Sequence, residues 1–219
     1  MELIDPIIRF FQEGGLFMYP ILLIFAGGLA IAIERWVYLS LVTGSNKRTW
    51  KRVLPLLNSG DFNEAMNAAN KSKTAIGTML TYGLARARTA RRRDDVEVAM
   101  EEGLMEAIPR MEKRTHYLST LANIATLLGL LGTIIGLIQA FTAVSNADPA
   151  EKADLLSASI SVAMNTTAFG LMAAIPLLLV YALLQSKTTS LVDSLEMASV
   201  KFLNIFNEKA FSASARSNA

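Results

Sequence analysis

Cysteine is absent from this 219-residue chain, and histidine occurs once, at His116. Without cysteine the chain has no disulfide framework and no thiolate metal site. The formal net charge of +2 is too small to indicate nucleic-acid binding. The carboxylates fall in segments typical of solvated helices and form no pocket signature. We therefore expect no catalytic residue, no metal, no cofactor and no nucleic-acid partner, and we do not expect an enzyme.

Charge is also missing from three long apolar runs. Residues 14–33, 117–147 and 155–186 contain no Asp, Glu, Lys, Arg or His, and they comprise 20, 31 and 32 residues. A helix of ~20 apolar residues crosses the ~30 Å hydrocarbon core of a bilayer. The later two runs are longer than that, so their helices should protrude or fray at one end. These runs predict an all-α membrane protein with three transmembrane helices, the second and third long and extending into the cytoplasm, and a helical cytoplasmic domain.

Lys and Arg are distributed unevenly around these runs. One precedes the first run, 15 lie in residues 35–114, one lies between the second and third runs, and four follow residue 186. Positive charge near the ends of spans marks the cytoplasmic side. The N-terminus is therefore expected outside, with the large loop and the C-terminus inside. No small-residue cleavage pattern follows residue 33, so we expect the first span to remain as an anchor.

The predicted organisation follows from these runs and their flanking charges. The chain is expected to begin with a periplasmic or interfacial segment (1–15), followed by transmembrane helix 1 (16–41) and a cytoplasmic helical loop (42–116). Transmembrane helix 2 (117–144), a short periplasmic loop (145–156) and transmembrane helix 3 (157–186) come next, and a cytoplasmic C-terminal helix and tail (187–219) end it. Residues 6–11 are interpreted either as a short amphipathic turn or as a disordered tail.

Helical periodicity continues through the cytoplasmic loop, with two interruptions. Residues 58–61 predict a break, after which Asp61 should cap the next helix. Residues 91–95 predict a second break, with Asp94 or Asp95 capping a long helix that runs into the second span. The arginines of residues 86–93 fit either a solvated helix end or a site for anionic lipid or a partner.

The second and third apolar runs carry stripes of small and weakly polar residues. In the second run, helical steps of three and four place on one stripe Asn123, Thr126, Gly129, Thr133, Gly136 and Ala140. The third run repeats the pattern, and its Pro176 should bend the helix. Close helix packing is expected at Gly129, Gly132, Gly136, Gly170 and Pro176. By themselves, these residues fit equally a packed hairpin whose hydroxyls bond their own carbonyls and a polar wall.

Residues 130–141 (LLGTIIGLIQAF) and 166–176 (TTAFGLMAAIP) resemble the second- and third-span signatures of the MotA/TolQ/ExbB proton-channel family. Residues 14–21 and 33–35 resemble the N-terminal pattern of its ExbB-like members. The chain departs from ExbB and TolQ at Val162, where those proteins commonly carry glutamate. Its three spans also differ from the four of the MotA branch. The similarity is therefore to an ExbB-like member.

This resemblance implies a multi-pass protein of the bacterial cytoplasmic (inner) membrane, with a periplasmic N-terminus and a cytoplasmic C-terminus. It implies a homopentamer around a dimer of a single-span ExbD/TolR-like partner whose aspartate carries the ion, with membrane lipid outside and a TonB-like energy transducer as a further candidate partner. Thr133 and Thr167 would face that aspartate, and the pore-lining candidates also include Thr126, Thr166 and Asn165.

The function so implied is a subunit of a motor or channel driven by the ion-motive force. The ion, proton or sodium, and the envelope process are left open by the sequence. The alternative is a non-conducting membrane scaffold that recruits partners through its cytoplasmic helices.

Overall fold

The computed structural model describes residue 10, residues 14–90 and residues 92–217, with the backbone alone for 210–217. The regular elements in these ranges are helices: α1 (Met18–Ser59), α2 (Phe62–Ser72), α3 (Ala75–Ala87), α4 (Arg93–Glu112), α5 (Thr115–Ser145) and α6 (Lys152–Ser217). Three stretches are long and apolar enough to cross a membrane: Met18–Ser59, Arg93–Ser145 and Lys152–Lys209. The prediction of an all-α membrane protein with three spanning helices is confirmed. The predicted turn over residues 6–11 lies, apart from Phe10, outside the described residues.

Helix α1 ends where the sequence predicts a break. Gly60 has a φ of +85°, a left-handed conformation that glycine adopts without steric cost. Its N–H donates to the carbonyl of Leu57 (3.1 Å), and the N–H of Asp61 donates to the carbonyl of Leu56 (3.0 Å). This pair of bonds is the Schellman pattern that terminates many helices. Asp61 then caps α2 by accepting the N–H of Glu64 at 3.0 Å, as predicted.

The second predicted break has a different cap from the one expected. Arg92 occupies the N-cap position of α4, and no side-chain bond caps this helix. Asp94 and Asp95 instead lie in the first turn, where their negative charge interacts favourably with the helix dipole. The prediction that one of these aspartates is the capping residue is therefore wrong, because the helix begins one residue before the first of them.

The expectation of one helix running from the cytoplasmic loop into the second span is also wrong. The chain leaves the helical conformation at Lys113 (φ −48°, ψ 134°) and adopts a left-handed one at Arg114 (φ 66°). Helix α5 starts at the next residue. The carboxylate of Glu34 lies 3.6 Å from the Arg114 guanidinium, so this turn carries an ion pair to the end of the first apolar run.

The helices are grouped into two compact units. One comprises Met1–Arg35 with Arg114–Leu183, and the other comprises Trp36–Lys113 with Leu184–Ala219. In the first unit, the fully buried side chains include Met18, Ile21 and Leu118. In the second unit, Phe202 is fully buried, and helices α3 and α4 approach so closely that a Cβ on Gly103 would lie 2.7 Å from the Cα of Met79.

Candidate ion-path hairpin of α5 and α6

Helices α5 and α6 touch backbone to backbone at two glycines. A Cβ added to Gly170 would lie 2.8 Å from the carbonyl oxygen of Ala125 and 3.0 Å from the Cα of Gly129. Further along, a Cβ on Gly136 would lie 3.0 Å from that of Ala163. Small residues permit such contact in lipid, where close packing replaces the hydrophobic effect as the source of helix association. The structure thus places the glycines of the sequence stripe inside the contact between the two helices.

The buried face of α5 differs slightly from the predicted stripe. Its buried residues are Thr115, Leu118, Ala122, Ala125, Gly129, Gly132 and Ala140. Thr126 and Thr133 each follow a buried residue by one position, which turns them by ~100° around the helix to the edge of this face. Asn123 is exposed. The polar residues therefore lie beside the packed surface, where a second molecule can reach them.

Among the pore-lining candidates, Thr126, Thr133 and Thr167 each donate one hydroxyl hydrogen bond to a backbone carbonyl. Thr126 donates to the carbonyl of its own helix at Ala122 (3.1 Å), and Thr133 donates to that of Leu130 (2.6 Å). Thr167 donates across the hairpin to the carbonyl of Gly129 at 3.0 Å. Each hydroxyl has used its single proton, but its oxygen keeps lone pairs that can accept a hydrogen bond. These three side chains can therefore accept a hydrogen bond from a donor on another molecule.

Thr166 is placed apart from the other pore-lining candidates. Its side chain is 2% exposed, and its hydroxyl lies 2.6 Å from the carbonyl oxygen of Gly14 and 2.9 Å from that of Val162. Its methyl group occupies the space that a Cβ on Gly132 would need. Sequence periodicity could not have found this contact, because Gly14 and Thr166 are 152 positions apart.

The remaining predicted site residues have less constrained surroundings. Asn165 is half-buried, and Pro176 lies exposed within the uninterrupted helix α6. Val162 stands where relatives were expected to carry glutamate. A Cβ added to Gly15 would lie 3.3 Å from its Cγ1. That contact places an apolar side chain against the segment that leads into α1.

The hairpin contains no Asp, Glu, Lys, Arg or His in residues 117–147 or 155–186. Charged groups occur at both ends of it, in residues 148–154 at the connecting loop and at the opposite end, where Arg35 is 3% exposed and lies 3.9 Å from the Glu34 carboxylate. His116 lies beside Tyr181, with ring centroids 6.2 Å apart. Among the described residues no cluster of His, Cys, Asp or Glu could hold a metal ion. Between these charged ends, residues 117–147 and 155–186 offer hydroxyl and amide groups but no acidic or imidazole side chain that could carry a proton.

Much of the hairpin's apolar surface is left uncovered within one chain. The large exposed side chains of α5 are Tyr117, Ile124, Leu127, Leu130, Leu131, Ile134, Leu137, Ile138 and Phe141. On α6, residues 164–183 include the large exposed side chains Met164, Leu171, Met172, Ile175, Leu178, Leu179 and Leu183. Apolar area on this scale requires cover by lipid or protein.

Three apolar helices, two of them joined by a short loop and packed through glycines, define a multi-pass α-helical membrane protein with a small-residue hairpin. The model of the MotA/TolQ/ExbB proton channel family matches residues 71–197. The chain belongs to this family, as an ExbB-like member.

Individual relatives agree with this assignment. The putative biopolymer transport protein ExbB homolog of Methanothermobacter thermautotrophicus is 30% identical over 203 residues, which cover 89% of this chain and 71% of the relative. The putative biopolymer transport protein ExbB-like 1 of Synechocystis is 31% identical over 186 residues, covering 84% and 72%. The Tol-Pal system protein TolQ of Haemophilus influenzae is 31% identical over 113 residues, covering 52% and 49%.

Proposed function

We propose that this chain forms the wall of a proton-conducting, energy-transducing complex of the inner membrane, in which a partner supplies the carboxyl group that carries the proton. The observation behind this proposal is a proton-channel family member whose two later apolar runs, residues 117–147 and 155–186, contain no acidic, basic or imidazole side chain. A carboxylate in a low-dielectric pore is costly unless hydroxyls or water solvate it. Threonine can do so without adding a competing charge.

The partner and the assembly are proposed from similarity. Relatives are named as ExbB biopolymer transport proteins and as the TolQ protein of the Tol-Pal system. We propose a pentamer of this chain around a dimer of an ExbD/TolR-like single-span protein with an aspartate in its span, acting on an envelope component through a TonB-like transducer. The membrane potential would supply ~2.3 kcal/mol per charge per 100 mV.

The membrane placement belongs to the same proposal. The spans would occupy residues 16–41, 117–144 and 157–186, with residues 42–116 and 187–219 on the cytoplasmic side and the N-terminal segment on the periplasmic side. The 15 Lys and Arg residues of 35–114 support this orientation.

Thr133 and Thr167 can serve both protonation states of the partner carboxyl group. A protonated carboxyl donates its O–H, and each threonine oxygen has a lone pair that accepts it. A carboxylate needs a donor instead, so each hydroxyl must rotate away from the carbonyl it now bonds. For Thr167 that rotation gives up the 3.0 Å bond to Gly129 across the hairpin. Proton loss would thus loosen a contact between α5 and α6.

The other candidates take different places in this scheme. Thr126 lies two turns before Thr133 on the same side of α5 and also bonds a carbonyl of its own helix, and Asn165 adds an amide on α6. Thr166 we assign to packing, because its buried hydroxyl is already shared between two carbonyls of the chain.

Proton flux into liposomes tests the proposal. The chain alone, under an imposed potential and followed with an internal pH dye, should give no proton-selective current, whereas co-reconstitution with the partner should give one. Thr133→Val should reduce that current. Thr142→Val is the matched control, because Thr142 makes the same kind of bond, to the carbonyl of Ile138 at 2.8 Å, and is exposed near the end of α5.

Thr167→Val also removes a bond between helices, so Thr167→Ser should restore the current if the hydroxyl is what matters. A strong voltage-driven proton current from the chain alone would refute the role assigned to the partner. Full current in an assembled Thr133→Val/Thr167→Val complex would refute the role assigned to the two threonines, and an assembled unmodified complex without any current would favour the scaffold alternative. The same assay with labelled sodium identifies the ion.

A further inference from the structure

A cavity of about 220 Å³, open to solvent and with both of its arginines exposed, lies in the second unit, where α1 meets the turn between α2 and α3. Its lining consists of Ser45, Arg48, Thr49, Arg52, Ser72 and Thr74. The lining is two guanidinium groups and four hydroxyls, and it includes no carboxylate. The cavity is far larger than the ~10–15 Å³ required for one water, so it has room for a small polyatomic anion.

Two arginines give this cavity its positive charge. Arg48 and Arg52 are four residues apart on α1, which places them on the same side of the helix. Arg48 uses its Nε to donate to the carbonyl of Gly44 at 3.3 Å. Neither arginine forms an ion pair with any residue in the part of the chain that the structure describes. Their terminal N–H groups therefore remain available, in the planar arrangement that matches phosphate oxygens.

Only one of the four hydroxyls supplies a further donor. Ser45 and Ser72 already donate to the carbonyls of Val42 (3.0 Å) and Ala69 (2.6 Å). Thr74 caps α3 by accepting the N–H of Gly77 at 3.2 Å, and it donates to the hydroxyl oxygen of Thr49 at 3.2 Å. Thr49 is only 7% exposed, and within the described residues its own hydroxyl proton has no acceptor. The 13-residue helix α3 also directs its positive N-terminal end toward this turn. A buried hydroxyl donor, two arginines and a helix N-terminus thus meet at one cavity.

We propose that this cavity binds a phosphate group. The expected first span ends near residue 41, so Arg48 lies ~10 Å further along the helix at ~1.5 Å per residue. That distance is close to the headgroup layer, which extends ~5–7 Å beyond the hydrocarbon core on each side, and an arginine side chain can reach back toward it. The phosphate can therefore belong to an anionic lipid or to a soluble phosphate compound. The site is separate from the proposed ion path and does not depend on it.

Binding to the full-length protein in two arms tests the proposal. In the first arm, inorganic phosphate is titrated into the detergent-solubilised protein at constant ionic strength, and thermal unfolding is followed. In the second arm, native mass spectrometry compares adducts of phosphatidylglycerol and phosphatidylcholine. Arg48→Gln/Arg52→Gln should weaken binding by at least about tenfold, the effect expected when charge-assisted hydrogen bonds to the anion are lost.

Lys47→Gln/Lys51→Gln is the matched control, because it removes the same charge at the same spacing from exposed neighbours on α1 that do not line the cavity. It should bind as the unmodified protein does. Arg48→Lys/Arg52→Lys keeps the charge but not the planar fork, and it should bind with intermediate affinity. A response to inorganic phosphate supports a soluble ligand, and selective loss of phosphatidylglycerol adducts supports a lipid headgroup. Equal binding by Arg48→Gln/Arg52→Gln and Lys47→Gln/Lys51→Gln would overturn the proposal. So would the absence of binding by the unmodified protein in both arms.

Discussion

Replacing Gly170 with alanine should open the hairpin, because the new methyl group meets backbone atoms that cannot rotate away. The Cβ would lie 2.8 Å from the carbonyl oxygen of Ala125 and 3.0 Å from the Cα of Gly129. Carbon atoms pack favourably at ~3.5–4.0 Å, so α5 and α6 must separate by about 0.5–1 Å. That separation also lengthens the 3.0 Å bond from Thr167 to Gly129.

The magnitude follows from three contributions. Overpacking costs ~1–3 kcal/mol, and weakening the cross-helix hydrogen bond adds up to ~0.5–1.5 kcal/mol. Alanine regains ~1 kcal/mol of helix propensity over glycine. The net effect is a loss of ~0.5–3.5 kcal/mol, which makes the open hairpin roughly 2- to 400-fold more populated.

The assay uses the absence of native cysteine. Cysteines introduced at the exposed positions Thr120 and Leu179 carry a fluorescence donor and acceptor, and energy transfer is followed while a denaturing detergent is added. Gly27→Ala is the control, because Gly27 is exposed on α1 and its Cβ would meet nothing within 4 Å. It should be neutral or stabilising by up to ~1 kcal/mol. Equal opening curves for Gly170→Ala and the unmodified chain would refute the backbone contact.

Three further predictions concern the second unit. The pKa of Tyr82 should lie above its ordinary value of 10.0 because its O–H donates to Glu106 and because the charge of that carboxylate disfavours the phenolate. The stability that this interaction gives the folded state is complete below the ordinary pKa and is lost as the pH rises through the raised one. An ultraviolet titration of the phenolate should show a lower pKa in Glu106→Gln. Asp61→Ala should cost ~1 kcal/mol in chemical unfolding through the lost cap, and an unchanged midpoint would contradict that role. Asn46→Ala should cost ~1–3 kcal/mol, because the buried N–H of Ile76 loses its 3.2 Å acceptor, and hydrogen exchange at that amide should accelerate.

The sequence predicts well those features that are decided by neighbouring residues. The spans follow from apolar runs, and the end of α1 follows from Gly60 with Asp61. The turn at Arg114 was missed because neither glycine nor proline marks it, and its left-handed conformation is accompanied by an ion pair with Glu34, 80 positions earlier.

The candidate site shows the same division between local and distant information. Helical spacing brings Gly129 and Thr133 to one side of α5, but spacing alone does not distinguish the packed face from its edge. Thr166 and Thr167 are adjacent in sequence, yet one hydroxyl bonds Gly14 and the other bonds Gly129. Only the arrangement of three separate segments decides which threonine is enclosed and which lies at the edge of the contact.

Gly14, Gly132 and Thr166 come from three parts of the chain and share one small volume. The Thr166 hydroxyl bonds the Gly14 carbonyl, while its methyl group fills the space beside Gly132. Variation at these positions should therefore be coupled: Gly132→Ala is disruptive alone, whereas Thr166→Ser removes the methyl group that obstructs it and keeps the hydroxyl. The two changes together should be tolerated better than the first by itself, so a residue in the second span limits what the third can accept.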